Sequence, residues 1–477
     1  MHKLSPWVKV FSGLALSALS AALLLLAMPP YGLWPLALIG FGPMLIAQYR
    51  LLPRRLANVA PAIGIGGYLG LVLYRIFPTE LADRAPWLPY FPLVVVAIVY
   101  LAEAGSVKFH TATRYRWFVL NGALVWVGIE LIRELIVGTG GFIAYAFYQA
   151  PLLLQPMSVF GIFGLSLMAT LIGYALGLAA IAVLDRLSPP DGSLSVPWSL
   201  ARRWLIVTAV LAALWIGLGL IQFQPATTPT VRVAAVQPGV PNLPNLMRGT
   251  REAAQHGARV IVWPEGALGF DPQVTRSAEL KALAAETGAY LVIGYGFNTP
   301  QGLRNEAISL SPDGVFEVPY GKDHPVAWLG ETSLTRGAYP VVDAPFGALG
   351  TIICYDLEFT DSARNMARQG ARLIAAPSND WQALHDTQYL MPVFRAIENR
   401  VALIKADTQY DSVIVDAYGR TLALSSQRVG GSELLVADVP IGLADAPQIF
   451  LGDWIGWISL AGMIFFMLGS QWLEKRG

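Results

Sequence analysis

The chain has 477 residues, of which 55% are hydrophobic and 14% are charged, and its formal net charge is +1. Soluble domains usually carry about 25% charged residues, so this composition indicates a membrane protein. Basic and acidic residues are nearly balanced, which argues against a nucleic-acid-binding protein, because such proteins carry an excess of basic residues. The single cysteine, Cys354, excludes a disulfide scaffold.

The first part of the chain contains apolar stretches that are long enough to cross a bilayer, which takes about 20 residues per helix. Seven such stretches lie at 8–28, 32–49, 58–77, 89–106, 116–136, 157–183 and 203–223, and an eighth lies at 451–473. The first stretch also has the layout of a signal peptide. Because a Pro-Pro-Tyr-Gly turn and a second apolar stretch follow at once, we favour a helical hairpin.

Basic residues in short loops predict the orientation of the spans, because Lys and Arg are retained on the cytoplasmic side. One set of loops, including both termini, holds thirteen: Lys3, Lys9, Arg50, Arg54, Arg55, Lys108, Arg114, Arg116, Arg186, Arg202, Arg203, Lys475 and Arg476. The opposite loops hold three: Arg75, Arg84 and Arg133. This asymmetry predicts that both termini are cytoplasmic and that residues 226–447 lie on the other side of the membrane.

The fifth stretch carries Glu130, Arg133 and Glu134 at helical spacing. Ionisable residues inside a membrane segment are frequently functional. The alternative is a Glu–Arg pair near the end of the helix, and we favour this structural interpretation.

Residues 226–447 differ from the rest, since they contain charges, turn residues and apolar runs of strand length. Strands are predicted at 231–237, 259–264, 290–295, 305–310, 349–354, 372–377, 401–406 and 412–416, and helices at 275–287, 358–369 and 386–399. Because short apolar runs alternate with helical patterns, we predict a buried sheet covered by helices.

Three chemically active residues follow predicted strands or lie in the loops between them: Glu265, Lys322 and Cys354. Ligands collect at the carboxyl ends of strands in α/β folds. After Cys354 the chain is expected to turn through Tyr355 and Asp356 and to begin a helix near Leu357. The amides of such a helix would favour a thiolate and hold an oxyanion.

A cysteine nucleophile requires a proton acceptor and a group that stabilises developing charge. Glu265 is a candidate for the first role and Lys322 for the second. Each residue alone has a simpler explanation, since a lone cysteine is usually a small core residue. Their order, their placement and the predicted non-cytoplasmic location, where an unpaired thiol has little structural use, favour a catalytic set. The histidines show no metal-ligand spacing, so no metal or cofactor is expected.

The segments VIVWPEGAL, YGKDH and ICYDLEF surround these three residues, and SNDW, FRAIENR and VDAYGR follow. They resemble the motifs of the carbon-nitrogen hydrolase (nitrilase) superfamily, and the whole chain resembles its apolipoprotein N-acyltransferase family. The resemblance implies a membrane bundle of about eight helices with an extramembranous α/β/β/α sandwich. It divides the chain into a bundle at 1–225, a catalytic domain at 226–447, and a final helix and tail at 448–477.

The resemblance also implies a reaction. Cys354 would take a fatty acyl group from a phospholipid as a thioester, and the N-terminal amine of a diacylglyceryl-modified apolipoprotein would then attack it. Glu265 would be the general base and Lys322 would stabilise the tetrahedral intermediate, with Glu331, Tyr355 and Asp356 in support. The protein is expected to lie in a bacterial inner membrane. We expect it to be a monomer and to have no nucleic-acid partner.

Asp356 stands where this family usually has Glu, and the segments before Glu265 and before Cys354 are shorter than the family's mobile arms. Two other functions therefore remain open. One is a membrane-tethered amidase that uses water on an exported amide. The other is an inactive scaffold, against which the joint presence of Glu265, Lys322 and Cys354 argues.

Overall fold

A computed structural model describes residues 5–78, 81–190, 194–223, 228–425 and 431–474, with the backbone alone described at 82, 84 and 470–474. Of the basic residues that predict the orientation, Lys3, Lys475 and Arg476 lie outside these ranges, and the side chain of Arg84 is not described.

The N-terminal part is helical throughout. Its α-helices are α1 (Pro6–Ala27), α2 (Pro35–Ile39), α3 (Phe41–Ile46), α4 (Val59–Pro61), α5 (Gly67–Tyr74), α6 (Leu81–Arg84), α7 (Phe91–Ala102), α8 (Ser106–Ala112), α9 (Phe118–Val137), α10 (Pro151–Leu154), α11 (Met157–Leu187) and α12 (Trp198–Gln222). The bundle is built around α11, which packs against α3, α9 and α12.

Within the described residues, five helical segments are long and apolar enough to cross a membrane: Pro6–Ala27, Arg54–Tyr74, Leu88–Ala112, Met157–Leu187 and Trp198–Gln222. The other three predicted stretches are also helical. The second is broken into α2, α3 and the π-helical turn Ala47–Leu51, in a stretch that contains Pro and Gly. The fifth, α9, contains three charged residues, and the last has its apolar part at Trp454–Gly469.

The extramembranous part contains two six-stranded sheets. The strands are β1 (Thr230–Gln237), β2 (Val260–Val262), β3 (Tyr290–Thr299), β4 (Gly302–Leu310), β5 (Tyr320–Gly321), β6 (Val341–Ala344), β7 (Gly347–Thr351), β8 (Leu373–Ser378), β9 (Ala402–Asp407), β10 (Val413–Val415), β11 (Thr421–Leu424) and β12 (Glu433–Pro440). Their order is β12-β1-β2-β3-β4-β5 in one sheet and β11-β10-β9-β8-β7-β6 in the other.

Four helices cover the sheets: α13 (Leu243–Gln255), α14 (Ser277–Thr287), α15 (Thr360–Arg368) and α16 (Leu390–Asn399). Strand β1 shows why layers form, because its successive side chains enter different cores. Val231, Val233 and Ala235 lie between the two sheets, whereas Ala234 and Val236 belong to the core that includes residues of α13 and α14. The predicted α/β/β/α sandwich attached to a helical bundle is confirmed.

All eight predicted strands are present, with edges shifted by a few residues, and β5, β6, β11 and β12 had no predicted counterpart. The helix expected to begin near Leu357 is also present, but it begins three residues later. Cys354 itself opens a 3₁₀ helix, Cys354–Glu358, and α15 begins only at Thr360.

The chain returns to the bundle through α17 (Gln448–Leu451) and α18 (Trp454–Glu474). Helices α15 and α16 pack on the bundle and share one hydrophobic core with it. Within this interface, the rings of Tyr145 and Phe394 lie 4.5 Å apart, centroid to centroid. The sandwich is therefore held to the bundle by apolar packing as well as by the chain.

Polar contacts join the two parts as well. Glu134 accepts hydrogen bonds from the backbone N and the hydroxyl of Thr360, at 3.0 and 3.1 Å, and Arg364 pairs with Asp453 at 2.9 Å. The expected Glu–Arg pair on α9 is not what the structure shows. Glu130 accepts from the backbone N of Ile143 at 3.0 Å, while Arg133 donates to the carbonyl of Gly140. Both side chains thus bind the loop after α9.

Candidate active site

Glu265 lies in the loop that follows β2, and its side chain is 10% exposed. The loop packs directly on Gly294 of the neighbouring strand β3. A Cβ atom at Gly294 would lie 2.1 Å from the carbonyl oxygen of Pro264 and 2.9 Å from the Cα of Glu265. The position of the carboxylate therefore depends on the absence of a side chain at Gly294.

Lys322 follows β5 and is almost fully buried, with 2% of its side chain exposed. Its Nζ donates to Glu265 Oε1 at 2.8 Å and to Glu331 Oε2 at 2.9 Å. Asn305 Nδ2 lies 2.6 Å from one oxygen of each of the same two carboxylates. One ammonium and one amide thus hold two acidic groups together.

Burial by itself would lower the pKa of Lys322, but Glu265, the charge that Cys354 carries as a thiolate, and Glu331 outweigh it and raise the pKa above its ordinary value. The ammonium therefore keeps its positive charge inside the protein. A fixed charge in a water-poor site interacts strongly with charge that develops beside it.

Cys354 follows β7 and begins its short helix with a φ of 45°, in the left-handed region that residues other than glycine rarely adopt. Such strained residues cluster at active sites. The side chain is buried, and its Sγ lies 3.7 Å from Asp380 Oδ1. The strained turn makes the sharp change of direction from the strand into the 3₁₀ helix.

Burial, followed by the negative charge of Glu265, raises the pKa of Cys354 well above its ordinary value, although Lys322 opposes the shift. The surroundings of Cys354 thus favour the neutral thiol on balance, although a backbone hydrogen bond from Asn379 acts in the opposite direction; the predicted effect of helix amides on the thiolate stays a prediction. A thiol whose pKa is raised requires a base to take its proton before it can act as a nucleophile.

Asp356 ties the two halves of the site together. Its buried carboxylate accepts from the hydroxyl of Tyr320 at 2.7 Å, from the backbone N of His324 at 2.8 Å and from that of Ile353 at 2.9 Å. Burial raises its pKa to about 6. The lysine loop is thus fastened to the cysteine turn, and a carboxylate one methylene shorter than glutamate reaches all three donors.

Tyr355 points toward the bundle, where its hydroxyl donates to the carbonyl of Val137 at 2.7 Å. The backbone N of Thr139 donates to the carbonyl of Glu358 at 2.8 Å. The turn that carries Cys354 is therefore bound to the end of α9.

Sequence reasoning missed three polar neighbours of the site: Asn305, Asp380 and Lys405. Lys405 Nζ pairs with Asp380 Oδ2 at 2.6 Å, and both side chains are buried. Two signals were present. Asp380 belongs to the SNDW segment, and Lys405 interrupts a fully apolar predicted strand, where a lysine requires an acidic partner.

One group among the described residues has acidic and imidazole atoms close enough for a metal ion, namely Asp323, His324 and Asp361. These groups already have partners. His324 Nε2 lies 3.0 Å from Asp361 Oδ1, the ring stacks on Phe359 with centroids 3.7 Å apart, and Tyr339 donates to Asp323. The arrangement is an ion pair beside the lysine loop.

Comparisons with known proteins agree with this architecture. Residues 232–446 match the carbon-nitrogen hydrolase family, and residues 20–175 match the apolipoprotein N-acyltransferase N-terminal domain. The apolipoprotein N-acyltransferase of Geobacter metallireducens is 26% identical over 495 residues, which cover 94% of this chain and 93% of that protein. The Vibrio cholerae protein of the same name is 24% identical, with 94% and 95% covered.

Among solved structures, an amidase from Nesterenkonia sp. is 24% identical, and the similarity covers 48% of this chain and 99% of that one, with a TM-score of 0.39. The two family matches occupy the two structural parts of one chain, and the named acyltransferases align along almost its whole length. The chain belongs to the apolipoprotein N-acyltransferase family of the carbon-nitrogen hydrolase superfamily.

Proposed function

We propose that this protein moves a fatty acyl group from a phospholipid to the N-terminal diacylglyceryl-cysteine of apolipoproteins, through a thioester on Cys354. The observation that carries the proposal is the buried cluster in which Lys322 contacts both Glu265 and Glu331 and interacts electrostatically with Cys354. Full-length relatives named apolipoprotein N-acyltransferase support this acceptor over a water-using amidase.

In the first half-reaction, Glu265 takes the thiol proton of Cys354 as the sulfur attacks the ester carbonyl carbon of the phospholipid. The carbonyl oxygen becomes an oxyanion, which the ammonium of Lys322 stabilises. The ester C–O bond then breaks, and the proton on Glu265 passes to the departing alkoxide oxygen, which becomes a hydroxyl of the lysophospholipid. The acyl group remains on sulfur.

In the second half-reaction, the neutral N-terminal amine of the acceptor attacks the thioester carbonyl. Glu265 accepts a proton from the amine and returns it to the sulfur as the C–S bond breaks. The products are an amide and the free thiol, so the cycle needs no oxidant and no cofactor. In this scheme Glu331 holds Lys322 in place, Asp356 fastens the lysine loop to the cysteine turn, and Tyr355 anchors that turn to the bundle.

The proposal also assigns a role to each part of the chain. Residues 1–225 and 448–477 form the membrane part, and 226–447 form a catalytic domain on the extracytoplasmic side of the inner membrane, in a monomer with both termini cytoplasmic. Contacts of Tyr355 and Glu358 with the end of α9 support a site at the bundle surface. Both lipid-anchored substrates could reach such a site without leaving the bilayer.

The direct test is acyl loading. Because Cys354 is the sole thiol of the chain, a labelled phospholipid should place a hydroxylamine-sensitive acyl group on the wild type and none on Cys354→Ser. A chase with a diacylglyceryl lipopeptide should move the label to the peptide's amine. Equal labelling of both proteins would contradict the thioester, and release of free fatty acid in place of the N-acyl peptide would indicate a hydrolase.

A further inference from the structure

A basic groove lies where α11 ends and α12 begins, far from the catalytic cluster. Its volume is about 770 Å³, and its walls include Arg186, Trp198, Arg202, Arg203, Ile206 and Val207. The catalytic domain binds α11 near its start, where Glu398 accepts from the backbone N of Ile162 at 2.7 Å. Leu187 lies 25 residues further on, or about 38 Å at 1.5 Å per helical residue. The groove is therefore at the opposite end of the bundle.

The groove concentrates positive charge, since three of its lining residues are arginines. Within the described ranges, no ion pair joins Arg186, Arg202 or Arg203 to a carboxylate. The neighbouring Asp185 is already used, since both of its oxygens pair with Arg50, one at 2.6 Å, and it also accepts from the backbone N of Val196 at 2.7 Å. Three guanidinium groups that share one concave surface are complementary to an anion.

The rest of the groove is apolar, and it follows the direction of the span. Arg186 lies over the ring of Trp198, 5.1 Å from its centroid. About one turn beyond Arg202 and Arg203 on α12, Ile206 and Val207 line the wall with 53% and 39% of their surfaces exposed. The groove thus changes from cationic to apolar toward the middle of the membrane, as a phospholipid changes from headgroup to acyl chain.

We infer that this groove binds an anionic phospholipid, with the headgroup phosphate held by Arg186, Arg202 and Arg203 and an acyl chain lying along Ile206 and Val207. Arginine is suited to this task because its guanidinium forms bidentate hydrogen bonds with phosphate oxygens. The bound lipid is distinct from the acyl donor, which must reach Cys354 at the other end of the bundle.

The test is native mass spectrometry of the full-length protein, which is first equilibrated with an equimolar mixture of phosphatidylglycerol and phosphatidylethanolamine and then purified. The wild type should retain phosphatidylglycerol, the anionic lipid, in preference to phosphatidylethanolamine. The double variant Arg202→Gln/Arg203→Gln should weaken this retention by about five- to thirtyfold, because each basic residue near a membrane surface contributes roughly a fivefold gain.

Arg54→Gln/Arg55→Gln is the matched control, since it removes the same charge from exposed residues that we place on the same membrane face but outside the groove. It should retain lipid as the wild type does, and both variants should still load an acyl group on Cys354. Equal loss in the two variants, equal retention of both lipids by the wild type, or displacement of the lipid by excess inorganic phosphate would each overturn the inference.

Discussion

Lys322 has two proposed tasks, because it pairs with the partly buried carboxylates of Glu265 and Glu331 and interacts electrostatically with Cys354, the proposed nucleophile. Removing its charge outright would leave Glu265 and Glu331 without their buried partner, which typically costs about 3–5 kcal/mol of stability. A loss of activity in Lys322→Ala would thus report on folding as much as on catalysis. Separating the tasks requires a substitution that keeps the charge and changes only where it lies.

Lys322→Arg is that substitution. The guanidinium preserves the pairing with the carboxylates, but it is planar and longer and cannot place a compact charge where the ammonium lay. We expect acyl transfer to fall by about 10²–10³, the usual cost of losing one oxyanion donor, with the melting temperature little changed. Glu265→Gln should behave in the same way, since it keeps the shape and removes the base. Lys281→Arg, on the exposed face of the domain, is the control. Normal turnover in Lys322→Arg would show that Lys322 has a structural role and does not stabilise the oxyanion.

The pair formed by His324 and Asp361 predicts a pH dependence. Burial would lower the pKa of His324, but the hydrogen bond and charge of Asp361 raise it above 6.5. Burial would raise the pKa of Asp361, but the hydrogen bond and charge of His324 lower it below 3.8. A raised histidine pKa stabilises the fold fully below about pH 6.5, and this contribution is lost as pH rises through the folded value. The depressed aspartate pKa contributes above about pH 3.8.

The melting temperature of the wild type should therefore exceed that of His324→Gln most clearly between about pH 4 and 6.5, and the gap should narrow at alkaline pH. The measurement is thermal unfolding in detergent across this range. A gap that widens as the pH rises would show that the imidazole is neutral in the folded state.

At the scale of the elements, the position of the Glu265 carboxylate depends on β3, a strand that carries none of the proposed catalytic residues. Gly294→Ala places a methyl group against Pro264 and should push the Glu265 loop away from Lys322 and Cys354. A displacement of about 1 Å commonly costs about 10²-fold in rate. Gly296→Ala is a matched control on the same strand, where the nearest atom to the new Cβ is 3.4 Å away. Comparable turnover in the two variants would mean that the loop absorbs the change.

Sequence patterns predicted the interior strands because burial on both faces requires continuous apolar residues, as in β8 and β9. The strands without a predicted counterpart include short or half-exposed ones such as β5 and β6, where that requirement is absent. Glu265, Lys322 and Cys354 were found because each lies in a motif. Asn305 could be assigned only from the sheet order, which places β4 beside β5. The apolar strand around Lys405 indicates that this lysine needs an acidic partner, but only the pairing of β9 with β8 identifies the partner as Asp380. The positive φ of Cys354 has no local signal, since only the folded surroundings impose it.

At the scale of the whole molecule, the thirteen-to-three distribution of basic residues predicts which side each part occupies. A reporter fused after Gly477 should indicate the cytoplasm, and one inserted near Asp313, in an exposed turn of the catalytic domain, should indicate the far side. Alkaline phosphatase and green fluorescent protein fusions give opposite readouts for the two locations. Finding both positions on one side would require an even number of crossings between Asp313 and Gly477, and α18 would then not be a single span.

The turn that carries Cys354 is bound at Tyr355 and at Glu358 to the end of a membrane helix. A helix in a bilayer that is too thin or too thick for it changes its tilt at modest cost. A tilt of α9 would act on this turn through Tyr355 and Glu358, and the hydrogen bonds of Asp356 would transmit the strain to the lysine loop. We therefore expect the rate of acyl transfer to change with the hydrophobic thickness of the bilayer when temperature and ionic strength are held constant. The host lipid would then act on this protein in two ways, through the thickness of the bilayer and as the source of acyl chains.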